Sequence, residues 1–486
     1  MLSELLNRIK AYLPDENLSV VEKAFEFSRK AHDKQLRASG EEFFQHSYSV
    51  ARILTELKLD AATISAALLH DVLEDTKVTH HEMQNEFGKE ITALVDGVTK
   101  ISSYHFADPE TAQAENWRKM ILAITKDIRV ILIKLADRIH NLRTIKYLDP
   151  SKQSIIASES LSLYAPFAQR LGIYKWKNEM EDLSFEVLEP VISKNLKAEL
   201  ETRQESNIAN LELWKKLISE KLSPFGIKYQ LLARPKNIFG IYKKMKRQHK
   251  PSAEIQDLIG LRLVTDTVAN CYALLGIISS QFTQVDGSFT DYIAVPKINM
   301  YQSLHTTIVG PNNIIAELQI RTEEMHRRSE YGIAAHWRYK EHGESKDLKA
   351  GTARKEMIEE KLDWLKEVLE WQQELKDPRE FLSALKVECE FEQIFVFTPK
   401  GKVIKLAMGA TPVDFAYHVH SEVGNHCYAA KVGNKIVPLS YKLNSGEICE
   451  ILTRKNSEPN KHWLEFSITA GARSKIRKFL REKSLK

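Results

Sequence analysis

The stretch AALLHDVLEDT, residues 66–76, sets one histidine and three carboxylates inside an apolar run, and its reading decides the fold of the first 190 residues. At about 100° per residue on a helix, His70, Asp71, Glu74 and Asp75 share one arc, and Leu68, Leu69, Val72 and Leu73 take the opposite one. The pattern predicts a single helix with a core face and an ionisable face. Because an unpaired buried charge is expensive, the ionisable face should meet a metal, a basic ligand or water.

Outward from this stretch the same texture continues. From residue 1 to 190, Gly occurs only at positions 40, 88, 97 and 172, and helix-like apolar spacing recurs between prolines. This region is expected to be all helical. Residues 191–224 read as a charged helix with little core of its own, joining two domains. From 225 to 342, strand-like runs such as DLIGLRLVT and IIAELQI alternate with helical ones such as IFGIYKKMKRQH, the pattern of a mixed α/β domain. A second helical linker is expected over 343–388. Short strands around turn signals at Gly401 and Gly446 mark a small β-rich domain at 389–454, followed by a tail at 455–486.

Composition narrows the class. The 486 residues are 28% charged and 43% hydrophobic, and the apolar runs fall short of the roughly 20 residues that span a bilayer. No membrane segment is expected. The N-terminus has no basic region followed by an uninterrupted apolar stretch, so the expected compartment is the cytoplasm. Cys271, Cys389, Cys427 and Cys449 form no CxxC pair and read as reduced thiols. The net charge of +5 is mild, so its local distribution says more than its total.

Two further pieces of the helical region carry ligand-type side chains, His46 in FFQHSYSVA and Asp137 in LIKLADRIHNLRT. Together with His70 and Asp71 they would make a mixed imidazole and carboxylate site suited to a borderline divalent ion such as manganese. A His-Asp pair by itself is common on helices and is more often a packed core pair. The longer segments are more specific. RASGEEFFQH (37–46), LLHDVLEDT (68–76), LVDGVTKIS (94–102) and LIKLADRIHNLRT (132–144) resemble the hydrolase domain of Rel/SpoT proteins, which make and destroy the alarmones ppGpp and pppGpp. The resemblance implies an HD-type site in which His46, His70, Asp71 and Asp137 bind Mn²⁺ and Glu74 and Asp75 handle the attacking water. It also implies that Arg37 packs on guanine and that Asn141 and Thr144 line the nucleotide pocket. Ala38 stands where the family often has Lys, and Ser47 where Pro usually follows the His.

The segment RPKNIFGIYKKMKRQHK, residues 234–250, carries seven Lys or Arg and no acid. Charge alone suits a solvated face or a nucleic-acid contact. With Asp257 in DLIGLRLV, Glu317 in AELQIRT, DYIAVPK (291–297), YQSLHTT (301–307) and RTEEMHRRSEYGIAAHWRYK (321–340), it resembles the Rel/SpoT synthetase domain, which is related to the nucleotidyltransferase fold. The implied reaction is pyrophosphoryl transfer from ATP to the 3′ hydroxyl of GDP or GTP. In it Arg234, Lys236 and Lys244 clasp the ATP phosphates, Asp257 and Glu317 hold Mg²⁺, and Tyr301 stacks on guanine. Asp291, Lys297 and His305 belong to the acceptor side, with Gln319 and Arg321 nearby. Departures fall at Ser288 and Thr290, where the family is charged, at Met300, where it usually has Gly, and at IFGIY (238–242).

TPVDFAYHVHSEVGNHCYAAKVGNKIVPLSYKLNSGEICEIL, residues 411–452, resembles a TGS domain, a ubiquitin-like β-grasp. The resemblance implies a contact with deacylated tRNA on the ribosome, for which His420 is the candidate. HWLEFSITAGARSKIRKFLREK (462–483) resembles the segment that opens the family's C-terminal regulatory region.

The expected fold is therefore multidomain: an all-α HD-type hydrolase domain, an α/β nucleotidyltransferase-like synthetase domain and a small β-grasp TGS domain. The implied function is that of a bifunctional alarmone enzyme with ATP, GDP or GTP and (p)ppGpp as ligands. Two other readings stay open, a hydrolase whose degenerate synthetase domain is a regulatory nucleotide-binding module, and a non-enzymatic tRNA or ribosome sensor.

Overall fold

A computed structural model of the chain describes residues 1–99, 109–202, 204–234, 236–252, 259–297, 299–310, 313–332, 368, 377–390 and 393–484. Asp257 and most of 343–388 lie outside these residues. The chain divides into two compact units, one of residues 1–92 and 132–354 and the other of residues 93–131 and 355–486. No helix among the described residues is long and apolar enough to cross a membrane.

In the first unit, helices Ser19–Ala31, Phe43–Thr55 and Ala61–Leu69 pack around Phe25, Phe44, Ile53, Leu54, Ile64 and Leu68, all of them buried. The stretch that opened the sequence reading is not one helix. Helix Ala61–Leu69 stops, His70 and Asp71 form a turn, and a four-residue helix, Val72–Asp75, follows before Thr76 becomes extended. The His70 Nδ1 atom reaches back 2.8 Å to the Ala67 carbonyl oxygen at this break. Such side-chain to backbone bonds compete with the helical ladder and bend it. The apolar half of the pattern survives, with Leu68, Leu69 and Val72 fully buried.

The same unit contains a six-stranded mixed sheet of β1 (Tyr229–Arg234), β2 (Ile259–Thr265), β3 (Thr283–Gln284), β4 (Thr290–Asp291), β5 (Leu304–Val309) and β6 (Ile315–Thr322). The order is β1-β2-β6-β5-β3, with β4 beside β5 and with β2 and β6 the parallel pair. Register places Gly260 between Arg234 and Glu317, and Gln319 between Arg262 and His305. A Cβ at Gly260 would lie 2.7 Å from the Arg234 carbonyl oxygen, so this close approach requires glycine.

One face of the sheet, with Leu261, Leu263, Leu304, Ile308, Leu318 and Ile320, packs on Cys271, Leu274 and Ile278 of helix Val268–Gln281. Trp214, Ile218 and Leu222 join this core from helix Gln204–Leu222. That helix falls in the segment expected to be a connector with little core. Fully burying a side chain such as Ile or Leu contributes about 1.5–3 kcal/mol, enough to make the helix a structural layer of the domain.

In the second unit, helices Pro109–Lys126 and Pro378–Glu390 pack together, with the Arg118 guanidinium 5.4 Å from the Phe381 ring centroid. Strands β7 (Gln393–Phe397) and β8 (Val403–Ala407) form a hairpin. Strand β9 (Cys427–Val432) pairs with both β10 (Lys435–Val437) and β11 (Cys449–Thr453). A parallel bridge between Phe397 and Ile448 joins the two sheets, in the manner of a grasp. Helix Pro412–Val419 starts with a capping box of Thr411 and Asp414, and the Asp414 carboxylate also accepts from the Ile468 and Thr469 amides. One buried carboxylate thus fixes the helix start and the following segment together.

Candidate functional site

Helices Phe43–Thr55 and Arg129–Arg143, together with the turn at His70, bring His46, His70 and Asp137 into one buried cluster. Each offers a ligand atom, and those atoms all lie within 4.8 Å of one another. Asp71 adjoins both imidazoles, with Oδ2 3.4 Å from His46 Nε2 and Oδ1 3.1 Å from His70 Nε2. His46 Nε2 is also 3.3 Å from Asp137 Oδ1.

The hydrogen bonds of the two imidazoles fix which nitrogen faces the cluster. His70 Nδ1–H donates to the Ala67 carbonyl, and its buried Nε2 makes no hydrogen bond among the described residues despite its approach to Asp71. His46 Nδ1 is 2.8 Å from His140 Nδ1, which Arg37 Nη1 also approaches at 3.3 Å. A guanidinium only donates, so His140 Nδ1 accepts and His46 Nδ1 carries the proton. Both Nε2 atoms then face the carboxylates, the arrangement in which outer partners orient metal-ligating histidines.

The electrostatics agree. Burial disfavours a charged His70, yet Asp71 raises its pKa to about 9, so the carboxylates draw positive charge to this point. Burial would also raise Asp137, but Lys134, 3.0 Å away, holds it well below the usual carboxylate range. Two imidazoles and two carboxylates with an unbonded buried nitrogen fit a divalent cation.

Around the cluster, Arg37 Nη2 donates to Asn141 Oδ1 at 2.7 Å, and Asn141 Nδ2 donates to Asp137 Oδ1 at 2.6 Å. Thr144 bonds back to the His140 carbonyl. Glu74 and Asp75 are exposed one turn beyond Asp71, and burial, then the Asp71 charge, raises the Asp75 carboxyl.

A second group of polar residues lines a cleft of about 410 Å³ beside the mixed sheet. Arg234, Arg262, Lys297, Tyr301, His305, Glu317 and Gln319 come from the sheet domain, and Gln169, Tyr174, Lys175, Lys177 and Asn178 come from the helical region. Glu317 is the hub. Arg234 Nη1 and Lys236 Nζ each lie 3.1 Å from its carboxylate, and Gln319 Nε2 donates to it at 3.2 Å. Burial works to raise Glu317, but the Lys236 and Arg234 cations overcome it and hold the carboxyl below its ordinary value. Tyr301 Oη and His305 Nε2 are 2.8 Å apart, and burial pushes the His305 imidazole down. Arg321 is fully buried, 5.9 Å from the Tyr301 ring centroid, and bonds Ser329 through Nη1.

Residues 24–174 match the HD domain, residues 233–344 match the region found in RelA / SpoT proteins, and residues 394–453 match the TGS domain. A GTP pyrophosphokinase of Myxococcus xanthus is 48% identical over 98% of this chain and 63% of its own length. A probable guanosine-3′,5′-bis(diphosphate) 3′-pyrophosphohydrolase of Synechocystis sp. is 45% identical over 94% of this chain and 60% of its own. The bifunctional (p)ppGpp synthase/hydrolase SpoT of Escherichia coli is 43% identical over 99% of this chain and 67% of its own. The chain belongs to the Rel/SpoT family. It spans about 60 to 67% of the length of these relatives.

The Rel/SpoT resemblance read from sequence thus selects residues that the fold gathers at two places. Of its synthetase residues outside the cleft lining, Lys236 and Arg321 adjoin it through Glu317 and Tyr301, and two others stand apart. Lys244 is half-buried on helix Ile238–Gln248. Asp291 accepts from Tyr272 Oη at 2.9 Å and from the Ile293 and Ala294 amides, so its carboxylate caps a turn. In the TGS domain, His420 is exposed and its Nδ1 accepts the Glu422 amide at the start of helix Ser421–Asn425. Sequence reasoning missed His140, Arg262 and the five helical-region residues of the cleft. His140 follows Asp137 by one helical turn, which was the available signal; the others meet the site only through tertiary packing.

Proposed function

We propose that the chain is a bifunctional alarmone enzyme, removing pyrophosphate from the 3′ position of (p)ppGpp at the imidazole and carboxylate cluster and transferring pyrophosphate from ATP to GDP or GTP in the cleft. The observation that carries this reading is the coexistence, on separate domains, of a preorganised divalent-ion cluster and a carboxylate clamped by two cations, each within the segment matching its family domain.

In the hydrolase, His46, His70, Asp71 and Asp137 would hold Mn²⁺. When bound, such an ion lowers the pKa of a water and offsets charge on the pyrophosphate. Arg37, braced by Asn141 and His140, presents its guanidinium to guanine. Glu74 and Asp75 receive the proton lost by the attacking water, and the raised Asp75 carboxyl suits that role.

In the synthetase, the 3′ oxygen of GDP or GTP attacks the β-phosphorus of ATP, the bond to the α-phosphate oxygen breaks, and AMP leaves. Arg234 and Lys236 exchange part of their pairing with Glu317 for phosphate oxygens, which neutralises charge where it develops. Glu317 and Asp257 would hold Mg²⁺, which would offset charge on the phosphates, and Glu317 would take the hydroxyl proton. Tyr301 stacks on guanine, with Lys297 and His305 on the acceptor side. TGS contact with tRNA through His420 belongs to the same reading.

The test is alarmone synthesis from ATP and GDP or GTP with Mg²⁺ in Asp71→Ala, where product survives, alongside ppGpp hydrolysis with Mn²⁺ in Glu317→Gln. Product in the first and pyrophosphate release in the second support bifunctionality. Release without synthesis leaves a hydrolase with a converted second domain, and neither activity leaves a binding protein.

A further inference from the structure

Tyr301 is held from two domains. The segment that delivers it turns back on itself: Met300 N–H donates to the Lys297 carbonyl at 2.8 Å, and Met300 adopts φ of 61°. Asn299 locks this turn. Its Oδ1 accepts the Tyr301 amide at 3.2 Å, while its Nδ2 donates to the Gln169 carbonyl at 2.9 Å and to Tyr174 Oη at 2.6 Å. Gln169 and Tyr174 belong to the helical region, on either side of the Leu171–Gly172 turn. The Tyr174 ring meets the Tyr301 ring edge-on, with centroids 5.6 Å apart. The contact is close throughout, since the Gly172 position has Gly332 Cα within 3.1 Å of where its Cβ would be.

We propose that Tyr174 and Asn299 are positioning residues for the guanosine acceptor, so that helix Tyr174–Leu188 of the helical region forms part of the synthetase's acceptor subsite. This rests on the reading of Tyr301 as the stacking residue. The physical basis is preorganisation. A stacking ring delivered on a turn loses rotamer and backbone freedom when a base arrives, and a ring already fixed has less to lose. Asn299 fixes the backbone at Tyr301, and Tyr174 restrains the ring itself through the edge-to-face contact. The ATP side of the cleft meets the same helix through other residues, Asn237 donating to Glu181 at 3.0 Å and the Phe239 amide to Asp182 at 2.9 Å, so the loss of Tyr174 or Asn299 falls on the guanosine side.

The experiment is steady-state synthesis by the full chain carrying Asp71→Ala, varying GDP at saturating ATP and ATP at saturating GDP, for Tyr174→Ala, Tyr174→Phe, Asn299→Ala and Tyr301→Ala. Tyr174→Ala and Asn299→Ala should each raise the KM for GDP about tenfold, the weight of an immobilised side chain, with the KM for ATP unchanged. Tyr174→Phe keeps the ring edge and should recover most of the loss. An unchanged KM for GDP in both alanine variants, with a raised one in Tyr301→Ala, overturns the positioning role. So does a parallel rise in both KM values with a lowered melting midpoint, which marks a merely structural contact. An unchanged KM for GDP in Tyr301→Ala, or no synthesis by the parent, removes the stacking reading itself and this inference with it.

Discussion

The Nδ1 atoms of His46 and His140 lie 2.8 Å apart, and Arg37 Nη1 stands 3.3 Å from the same His140 nitrogen, so a residue outside the ligand cluster dictates the tautomer of one inside it. Burial, then the His46 and Arg37 charges, lowers the His140 pKa to about 3, which keeps the ring neutral and able to accept. Losing an outer partner of this kind typically costs about 10- to 100-fold in metal affinity. His140→Ala should therefore weaken Mn²⁺ binding by that factor in calorimetry while synthesis proceeds at the parent rate. Equal Mn²⁺ affinity in the two proteins would refute the tautomer argument.

Gly332 ends helix Glu323–Tyr331 with φ of 57° and ψ of −135°, and a Cβ there would stand 2.2 Å from the Leu171 carbonyl oxygen. Neither atom is the end of a flexible side chain. Gly332→Ala combines a strained backbone with a backbone clash, for a cost of about 3 kcal/mol or more. Gly401, with φ of 78° and nothing within 4 Å of its Cβ position, supplies the control. Thermal denaturation should show Gly401→Ala affected mildly and Gly332→Ala strongly, and equal shifts would argue against the close approach.

Met300 occupies the left-handed region at φ of 61°, where a side chain costs about 1–2 kcal/mol and glycine costs nothing. The glycine that the family resemblance leads one to expect before Tyr301 thus has a backbone reason. Met300→Gly should stabilise the fold by about 1 kcal/mol at most, once the entropy of a freer unfolded chain is subtracted, and so raise the melting midpoint slightly. A lowered midpoint would mean that the Met300 side chain packs more than its backbone strains.

Asp182 accepts the Phe239 amide at 2.9 Å at the start of helix Ile238–Gln248, and burial raises its pKa above the ordinary 3.8. Below that value the carboxyl is neutral in both folded and unfolded chains. As pH climbs from 3.8 through the raised folded value, the unfolded chain ionises first, and the stabilising contribution of the neutral group is lost. Asp182→Asn stays neutral and should gain midpoint relative to the parent across that window, then hold a constant difference. A difference independent of pH would show that Asp182 titrates alike in both states.

Local chemistry made much of this protein legible in its sequence. The periodicity of residues 1–190, the alternation of strands and helices after 225, and the pairing of HDVLEDT with His46 and Asp137 all follow from side-chain spacing along one chain. Those signals assigned the fold class, and the resemblance of short segments to Rel/SpoT proteins supplied most of the candidate residues, because each such segment combines residue types that are unusual together. Spacing misjudged the helix over 66–76, since it does not register a side chain that competes for a backbone carbonyl, as His70 does at Ala67. It also took helix Gln204–Leu222 for a connector, because Trp214, Ile218 and Leu222 become core only when a sheet lies against them.

The sequence by itself determined which groups are present and on what kind of element. Tertiary structure alone decided which nitrogen of His46 faces the carboxylates, why Glu317 stays ionised in a buried cleft, and that Tyr174, through Asn299, braces Tyr301 from another part of the chain. The reason is common to all three. Tautomer, ionisation and ring orientation are set by neighbours within a few ångströms, and those neighbours are more than 80 residues away along the chain, as His46 and His140 are at 94 and Tyr174 and Asn299 at 125.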